Sequence, residues 1–229
     1  MKGEKNMSNI QKTAELIDLS HTLAGAQLLR FEYPWEALVH IKAMIVSIGE
    51  TLSPEEYDNP SENVWIAKSA RVAPTAYIGA PCIIGKDTEV WHCAYIRGSA
   101  LVGDGAVIGN STELKNCIIC DGAQVPHYNY VGDSILGYRS HMGAGAVTSN
   151  VKSDKTPVVV RCDGEFIETG LKKFGAVLGD FAEIGCGAVL NPGTVIGRRT
   201  SVYPQISVRG SVMPDCIVKS EKNIVKRKA

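Results

Sequence analysis

The sequence lacks an excess of charge of either sign, because Lys and Arg together number 24 and so do Asp and Glu. Nothing in that balance favours nucleic acid or an anionic membrane as a partner. The sequence also lacks an apolar run of the ~20 residues that a membrane span needs, and its first residues have no apolar core of the signal-peptide kind. We therefore expect a cytoplasmic protein without a nucleic-acid or membrane partner.

A second pair of CxxC motifs, as in a zinc ribbon, is absent too. The seven cysteines include one isolated CxxC, Cys117 and Cys120. An odd number of cysteines without a secretory signal favours reduced thiols, and free cysteine commonly packs as a small hydrophobic side chain. The sequence therefore predicts packed thiols rather than a metal site.

What the sequence does have is a period of six residues. Every sixth residue from Ile66 to Leu114 is Ile, Val or Leu, and glycine and other small residues recur at fixed offsets. A helix repeats at about 3.6 residues and a strand at about two, so this period instead indicates short strands joined by tight corners. Proteins with this pattern wind left-handed, and the expected fold is an all-β, left-handed parallel β-helix. Its flat faces favour identical chains as partners, in a homotrimer.

Two segments fall outside the repeat. Residues 1–63 carry apolar residues at helical spacing, including Trp35 and Leu38, so we predict a small N-terminal α-helical cap and linker before a β-helix at 64–229. The polar stretch 148–177 lacks the inward aliphatic series. Because it is 30 residues long, a multiple of six, we predict an excursion loop that rejoins the coil in register. A basic C-terminal tail ends the sequence.

The repeat changes phase near VPHYNYV, residues 125–131. Counting in sixes places Cys120 and Pro126 inside the coil, and the inward series then restarts at Tyr130. On this count two residues are missing at His127, which would turn its side chain off the regular corner. A histidine there is either a general base or a hydrogen-bonded structural residue.

Charged residues also interrupt the pattern. Arg97 and Lys115 are 18 residues apart, so we expect them on one edge in successive coils, ~5 Å apart. Two stacked cations repel each other unless an anion lies near them. The edge is therefore either a solvated row paired with Asp121 or Glu113, or a phosphate site.

One long motif resembles a known family. The string NSTELKNCIICDGAQVPHYNYVGDSILGYRSHMGAGAVTSN is similar to the acetyltransferase domain of the bifunctional N-acetylglucosamine-1-phosphate uridyltransferase/glucosamine-1-phosphate N-acetyltransferase family. The shared features are Gly-Asn, Glu-x-Lys, His-x-x-Tyr-x-Gly-Asp, Gly-Ala-Gly and a final Asn, and the resemblance covers residues 90–213. It implies a homotrimer with active sites between chains. It also implies transfer of acetyl from acetyl-CoA, without a metal, to an amino sugar 1-phosphate in UDP-N-acetylglucosamine biosynthesis.

The resemblance also implies roles at the acceptor site. His127 would be the base that takes the amine proton during attack on the thioester. Arg97, Lys115 and Tyr130 would bind the sugar phosphate. Asn150, the last residue of the motif, is placed in the same acceptor site.

The resemblance implies cofactor contacts as well. The backbone at Ala144 would bind acetyl-CoA and stabilise the oxyanion, Lys173 would meet the charged part of the cofactor, and Cys186 would lie near the thioester. His141 stands where the family has Asn, and we treat it as a second candidate catalytic residue. No uridyltransferase domain is expected.

Three alternatives remain open. The protein could acylate another amino or hydroxyl acceptor, such as a nucleotide-linked amino sugar. It could be a non-catalytic binding paralogue, which the change at His141 favours. It could be a β-helical zinc enzyme using His92, His127 and His141, although the His-x4-His spacing of such enzymes does not occur here.

Overall fold

The computed structural model describes residues 10–228. Short strands dominate it, and the helices are confined to the N-terminal part. The helices are α1 (Thr13–Leu16), α2 (Gly25–Leu28) and α3 (Ile41–Gly49), with 3-10 turns at Leu19–His21 and Pro34–Val39. The strands, in chain order, are β1 (Tyr57–Ser61), β2 (Val64–Ala67), β3 (Arg71–Val72), β4 (Tyr77–Ile78), β5 (Cys82–Ile84), β6 (Glu89–Val90), β7 (Tyr95–Ile96), β8 (Ala100–Val102), β9 (Val107–Asn110), β10 (Glu113–Ile119), β11 (Gln124–His127), β12 (Tyr130–Leu136), β13 (His141–Met142), β14 (Val147–Thr148), β15 (Val159–Cys162), β16 (Glu165–Glu168), β17 (Ala176–Leu178), β18 (Glu183–Ile184), β19 (Val189–Leu190), β20 (Thr194–Ile196), β21 (Ser201–Val202), β22 (Ser207–Val208), β23 (Ser211–Val212), β24 (Cys216–Ser220) and β25 (Asn223–Lys226).

The coil strands stack in parallel on three faces. Face A contains β2, β5, β8, the ends of β10 and β12, β17, β20 and β23; face B contains β3, β6, β9, β11, β13, β18, β21 and β24. Face C contains β4, β7, the starts of β10 and β12, β14, β19 and β22. The chain turns from face A to B at edge AB, from B to C at edge BC, and from C to A at edge CA. This arrangement confirms the predicted all-β, left-handed parallel β-helix.

The phase change lies at edge CA, so its predicted place at His127 is wrong. Leu114 pairs with Ile96, 18 residues earlier, whereas Val131 pairs with Leu114, 17 residues earlier. The corner between faces C and A has three residues at 97–99 but only two at 115–116 and at 132–133, so each of those two coils loses one residue.

The inward series shifts accordingly. Inward positions are held by Ile119, Val125, Val131 and Leu136; Cys120, Pro126 and Tyr130, which the count of six had placed inside, do not belong to this core. Cys120 is fully buried, but on the outer side of face A against the helical part.

The N-terminal helices lie along face A rather than over an end of the coil. Ile41 and Ile45 of α3 are fully buried, in one cluster with Ile83, Leu101 and Ile118 from the outer side of face A. β1 continues this sheet by pairing antiparallel with β2. Face A is therefore covered on both sides by the chain itself.

The excursion leaves the coil after β14 and returns at β17, where Leu178 pairs with Leu136. It contains an antiparallel hairpin, β15–β16, which the six-residue period does not predict. Phe174, near its end, is fully buried and stacks on Trp35 at 5.8 Å between ring centroids. The excursion is thus fixed against the helical part.

Candidate active site

Three predicted site residues lie on edge BC in successive coils. The backbone N–H of Gly145 donates to the carbonyl of His127 at 2.9 Å, and that of Gly187 donates to Ala144 at 2.8 Å. The carbonyl of Cys186 accepts from the next coil in the same way. Because stacked strands are ~4.8 Å apart, His127, Ala144 and Cys186 form one continuous row, and all three are exposed. The candidate base and two candidate cofactor contacts therefore share an edge.

Asn129 fixes the corner that carries His127. It is 2% exposed, and its side-chain oxygen accepts from the His127 backbone N–H at 3.0 Å. Its amide donates to the carbonyls of Gly143 and Ala146, at 2.8 and 3.0 Å. This single side chain therefore joins the candidate base to the candidate acetyl-CoA corner.

The imidazole of His127 is open to solvent. Its ring centroid is 5.7 Å from that of Trp91, and within residues 10–228 no hydrogen bond to its ring nitrogens is found. The backbone N–H of Gly143 is already bonded to Ile184, whereas in the same described part the N–H of Ala144 has no acceptor. Edge BC thus presents a proton acceptor and a backbone donor in neighbouring coils.

Edge CA carries the two predicted cations, and each has a carboxylate partner. Arg97 Nη1 lies 2.9 Å from Glu113 Oε1, and Lys115 Nζ lies 3.0 Å from both oxygens of Asp133. Glu113 is one of the two partners expected from the sequence. The other, Asp121, lies on edge AB, 3.9 Å from His21. The pairing removes most of the mutual repulsion that the stacking predicted.

Asp133 is the centre of this edge, and the sequence reasoning did not single it out. It is 4% exposed and accepts from Lys115, from Asn116 at 2.9 Å and from Asn150 at 2.5 Å. Asn150 also donates to the hydroxyl of Tyr130 at 3.2 Å. Burial, followed by the charge of Asp133, raises the pKa of Tyr130. Three predicted acceptor-site residues, Lys115, Tyr130 and Asn150, therefore belong to one network.

His141 lies apart from His127 within the chain. It is on face B, paired with Gln124 on one side and Glu183 on the other, and its Nδ1 is 3.1 Å from Glu183 Oε2. Gln124 and His127 are the two ends of β11, ~10 Å apart at about 3.3 Å per residue. The two histidines therefore occupy different ends of face B.

Lys173 also lies away from the row on edge BC. It lines a cleft of about 460 Å³ at edge CA, together with Lys115 and Asp133. Lys42 and Lys172, which the sequence reasoning did not identify, line the same cleft. Their proximity depends on how the helical part and the excursion pack, so no motif could have found it.

Both thiols of the isolated CxxC are buried, as predicted, but Cys120 is not in the coil interior where the count of six placed it. Cys117 faces the interior of the coil and Cys120 the helical part, on opposite sides of face A, and burial raises the pKa of Cys117 to about 12. Across residues 10–228 there is no group of three or more His, Cys, Asp or Glu placed to hold a metal ion. In that same part of the chain, none of the helices has the length and apolar character of a membrane span.

Comparisons with known proteins agree with the motif. No protein-family model matches the chain. Bifunctional protein GlmU of Methanococcus vannielii is 29% identical over 160 residues, which cover 69% of this chain and 34% of that protein. A bifunctional sugar-1-phosphate nucleotidylyltransferase/acetyltransferase of Sulfurisphaera tokodaii is 34% identical over 95 residues, covering 42% of this chain and 24% of that protein.

Among solved structures, a hexapeptide transferase family protein from Anaplasma phagocytophilum shows 15% identity and a TM-score of 0.40, with 72% of this chain and 78% of that chain covered. The chain spans about a third, or less, of the length of the two curated relatives described above. The resemblance carried by the motif is thereby confirmed, and this chain is similar to a portion of the bifunctional protein GlmU of Methanococcus vannielii and of the bifunctional sugar-1-phosphate nucleotidylyltransferase/acetyltransferase of Sulfurisphaera tokodaii.

Proposed function

We propose that the protein is an acetyl-CoA-dependent N-acetyltransferase whose acceptor is an amino sugar bearing a phosphate at its anomeric carbon. The observation that carries this is the row on edge BC, where the exposed His127 lies one coil from Ala144 and two from Cys186. The names of the curated relatives support the reaction class. Acetyl-CoA is the proposed co-substrate.

The proposed chemistry is a direct transfer. The acceptor amine attacks the thioester carbonyl, and His127 takes a proton from the nitrogen as the new C–N bond forms. The N–H of Ala144 donates to the oxygen that becomes negative in the tetrahedral intermediate. The C–S bond then breaks, and the thiolate of CoA leaves and is protonated.

The acceptor is proposed to bind from edge CA towards edge BC. Lys115, Tyr130 and Asn150 are held together by Asp133, and Arg97 lies beside them in the preceding coil. These residues would orient the phosphorylated sugar, in the amino sugar 1-phosphate class that the motif implies. A nucleotide-linked amino sugar offers the same anomeric phosphate and is the second candidate acceptor.

A homotrimer is part of the proposal. Among residues 10–228, the helices pack against face A, and on face C the exposed Tyr77 and Tyr95 have ring centroids 5.4 Å apart. Large apolar side chains on a flat face favour contact with another chain. In such an assembly edge BC of one chain can meet edge CA of its neighbour.

His141 is the second candidate base. A carboxylate beside Nδ1 is the arrangement that orients an imidazole for proton transfer through its other nitrogen, and Glu183 supplies it. This observation also suits a solvated ion pair on face B.

Release of free CoA thiol tests the activity. The protein should release thiol from acetyl-CoA only when an amino sugar phosphate is present, and the unphosphorylated sugar should react far more slowly. The same sugars with the amine already acetylated are the control. Absence of thiol release with the whole panel would contradict the proposed activity and favour a binding paralogue.

A further inference from the structure

Four lysines converge on the cleft at edge CA. We name it the lysine cleft and define it by Lys42, Lys115, Lys172 and Lys173, which line about 460 Å³ together with Ser99 and Asp133. Lys42 comes from α3, Lys172 and Lys173 from the excursion, and Lys115 from the coil. All four belong to one chain, so the cleft does not depend on the proposed trimer.

The uncompensated charge of this region lies in the lysine cleft rather than on the row of Arg97 and Lys115. Both residues of that row are in ion pairs with carboxylates. Within residues 10–228, by contrast, no carboxylate lies in an ion pair with Lys42, Lys172 or Lys173. Three like charges around one small cleft repel each other, and a bound anion would remove that repulsion.

The backbone holds these lysines in place. Phe174, next to Lys173, is fully buried, and its N–H donates to the carbonyl of Asn150 at 3.0 Å. Ile41 and Ile45 of α3, before and after Lys42 in the helix, are buried against face A. The Asn116 amide donates to both the carbonyl of Leu38 and the carboxylate of Asp133, at 3.1 and 2.9 Å. The walls of the cleft are thus joined to the acceptor network.

The cleft also has an apolar side. Leu38, Val39 and Leu171 line it, and Val39 is 65% exposed. An apolar surface beside cationic groups suits an organic phosphate better than a free inorganic ion, because the ring of a sugar or base can cover it.

We infer that the lysine cleft binds the phosphoryl group of the acceptor, with Lys42 and Lys172 as ligands beside Lys115. This rests on the proposed function, and it moves Lys173 from the cofactor to the acceptor. The shared chemistry is a phosphorylated sugar. It can come from a sugar 1-phosphate or from a sugar linked to a nucleoside diphosphate.

Direct binding tests the inference without any catalysis. Glucosamine 1-phosphate and UDP are titrated separately into the full-length protein by calorimetry, for wild type, Lys42→Gln, Lys172→Gln and the double variant. Each single substitution should weaken binding of the true ligand class about tenfold, the usual effect of losing one charge-assisted contact. Lys219→Gln, an exposed lysine on β24, is the matched control and should bind as wild type does.

The two ligands distinguish the source of the phosphate. If the lysine substitutions weaken the binding of glucosamine 1-phosphate, the ligand class is a sugar monophosphate. If they weaken the binding of UDP, the ligand class is a nucleotide-linked sugar. Unchanged affinity in the double variant for both ligands would overturn the inference, as would an equal loss in Lys219→Gln. Thiol release separates the two proposals. If binding depends on the lysines but no acetyl is transferred, only the proposed activity is refuted. If acetyl transfer occurs at the same rate without both lysines, only the proposed role of the lysine cleft is refuted.

Discussion

At the scale of single residues, the structure keeps the two predicted cations in one row on edge CA but shows that carboxylates balance their charges. Arg97 and Lys115 do lie on one edge, as their spacing required, but each has a carboxylate partner. The sequence contains Asp133 inside the motif, yet spacing alone could not show that it is buried and accepts from three side chains. Its role depends on corner geometry, since Asp133 and Asn116 both adopt a left-handed conformation, at φ 48° and 50°.

Substitution of Asp133 tests the importance of this network. Asp133→Ala removes one acceptor from each of the amides of Asn116 and Asn150, and it removes the carboxylate partner of the Lys115 ammonium. We expect a loss of about 1–3 kcal/mol in the free energy of unfolding. Glu113→Ala is the matched control, because its ion pair with Arg97 is more exposed and should contribute less than about 1 kcal/mol. Urea denaturation measures both. Equal losses would mean that Asp133 is only a surface partner of Lys115.

At the scale of elements, the six-residue period predicts most of the coil but not the place of its phase change. The inward series is as expected from Ile84 to Leu114, because each strand has room for one inward aliphatic. In the first coil Ile66 and Ile78 are only partly buried and Val72 is exposed. Beyond it, the total shift of two residues is visible in the sequence, but its division between two corners of edge CA is not. Cys120 and Pro126 are acceptable core residues on chemical grounds, and only the pairings of Ile119 with Val102 and of Val125 with Ile108 exclude them.

The sequence does indicate which face the helices cover, through a pattern that is separate from the six-residue period. Consecutive aliphatic pairs occur in strands of face A, and one member of each pair faces outward. A strand buried on both sides has this pattern. The pairs are Ile83–Ile84, Leu101–Val102, Ile118–Ile119, Ile135–Leu136, Val177–Leu178 and Val195–Ile196.

The contact between α3 and face A should contribute strongly to stability. Ile45 is fully buried there, and Ile45→Ala should lower the free energy of unfolding by about 2–5 kcal/mol, the usual cost of such a truncation in a core. Val39→Ala, at an exposed position near α3, should change it by less than about 0.5 kcal/mol. If both variants unfold at the wild-type urea concentration, the helical part is not integral to the core.

At the scale of the whole molecule, the three faces differ in what covers them. Face A is covered by the helices and the excursion, and faces B and C remain for neighbouring chains in the proposed trimer. Edges BC and CA border face C, so the candidate base, the candidate cofactor row and the acceptor network all lie at the borders of that face. His141, on face B, is the candidate that fits this division least well.

The central claim is that His127 is the base, and the rate of thiol release from acetyl-CoA in His127→Ala and His141→Ala, each compared with wild type, tests it most directly. Light scattering on the same samples should give the wild-type assembly mass, because neither ring is part of the core. His127→Ala should lower kcat by ~10²–10⁴, the contribution of a positioned base, while His141→Ala should retain most of the activity. An active His127→Ala beside an inactive His141→Ala would contradict the account and assign proton transfer to the His141–Glu183 pair.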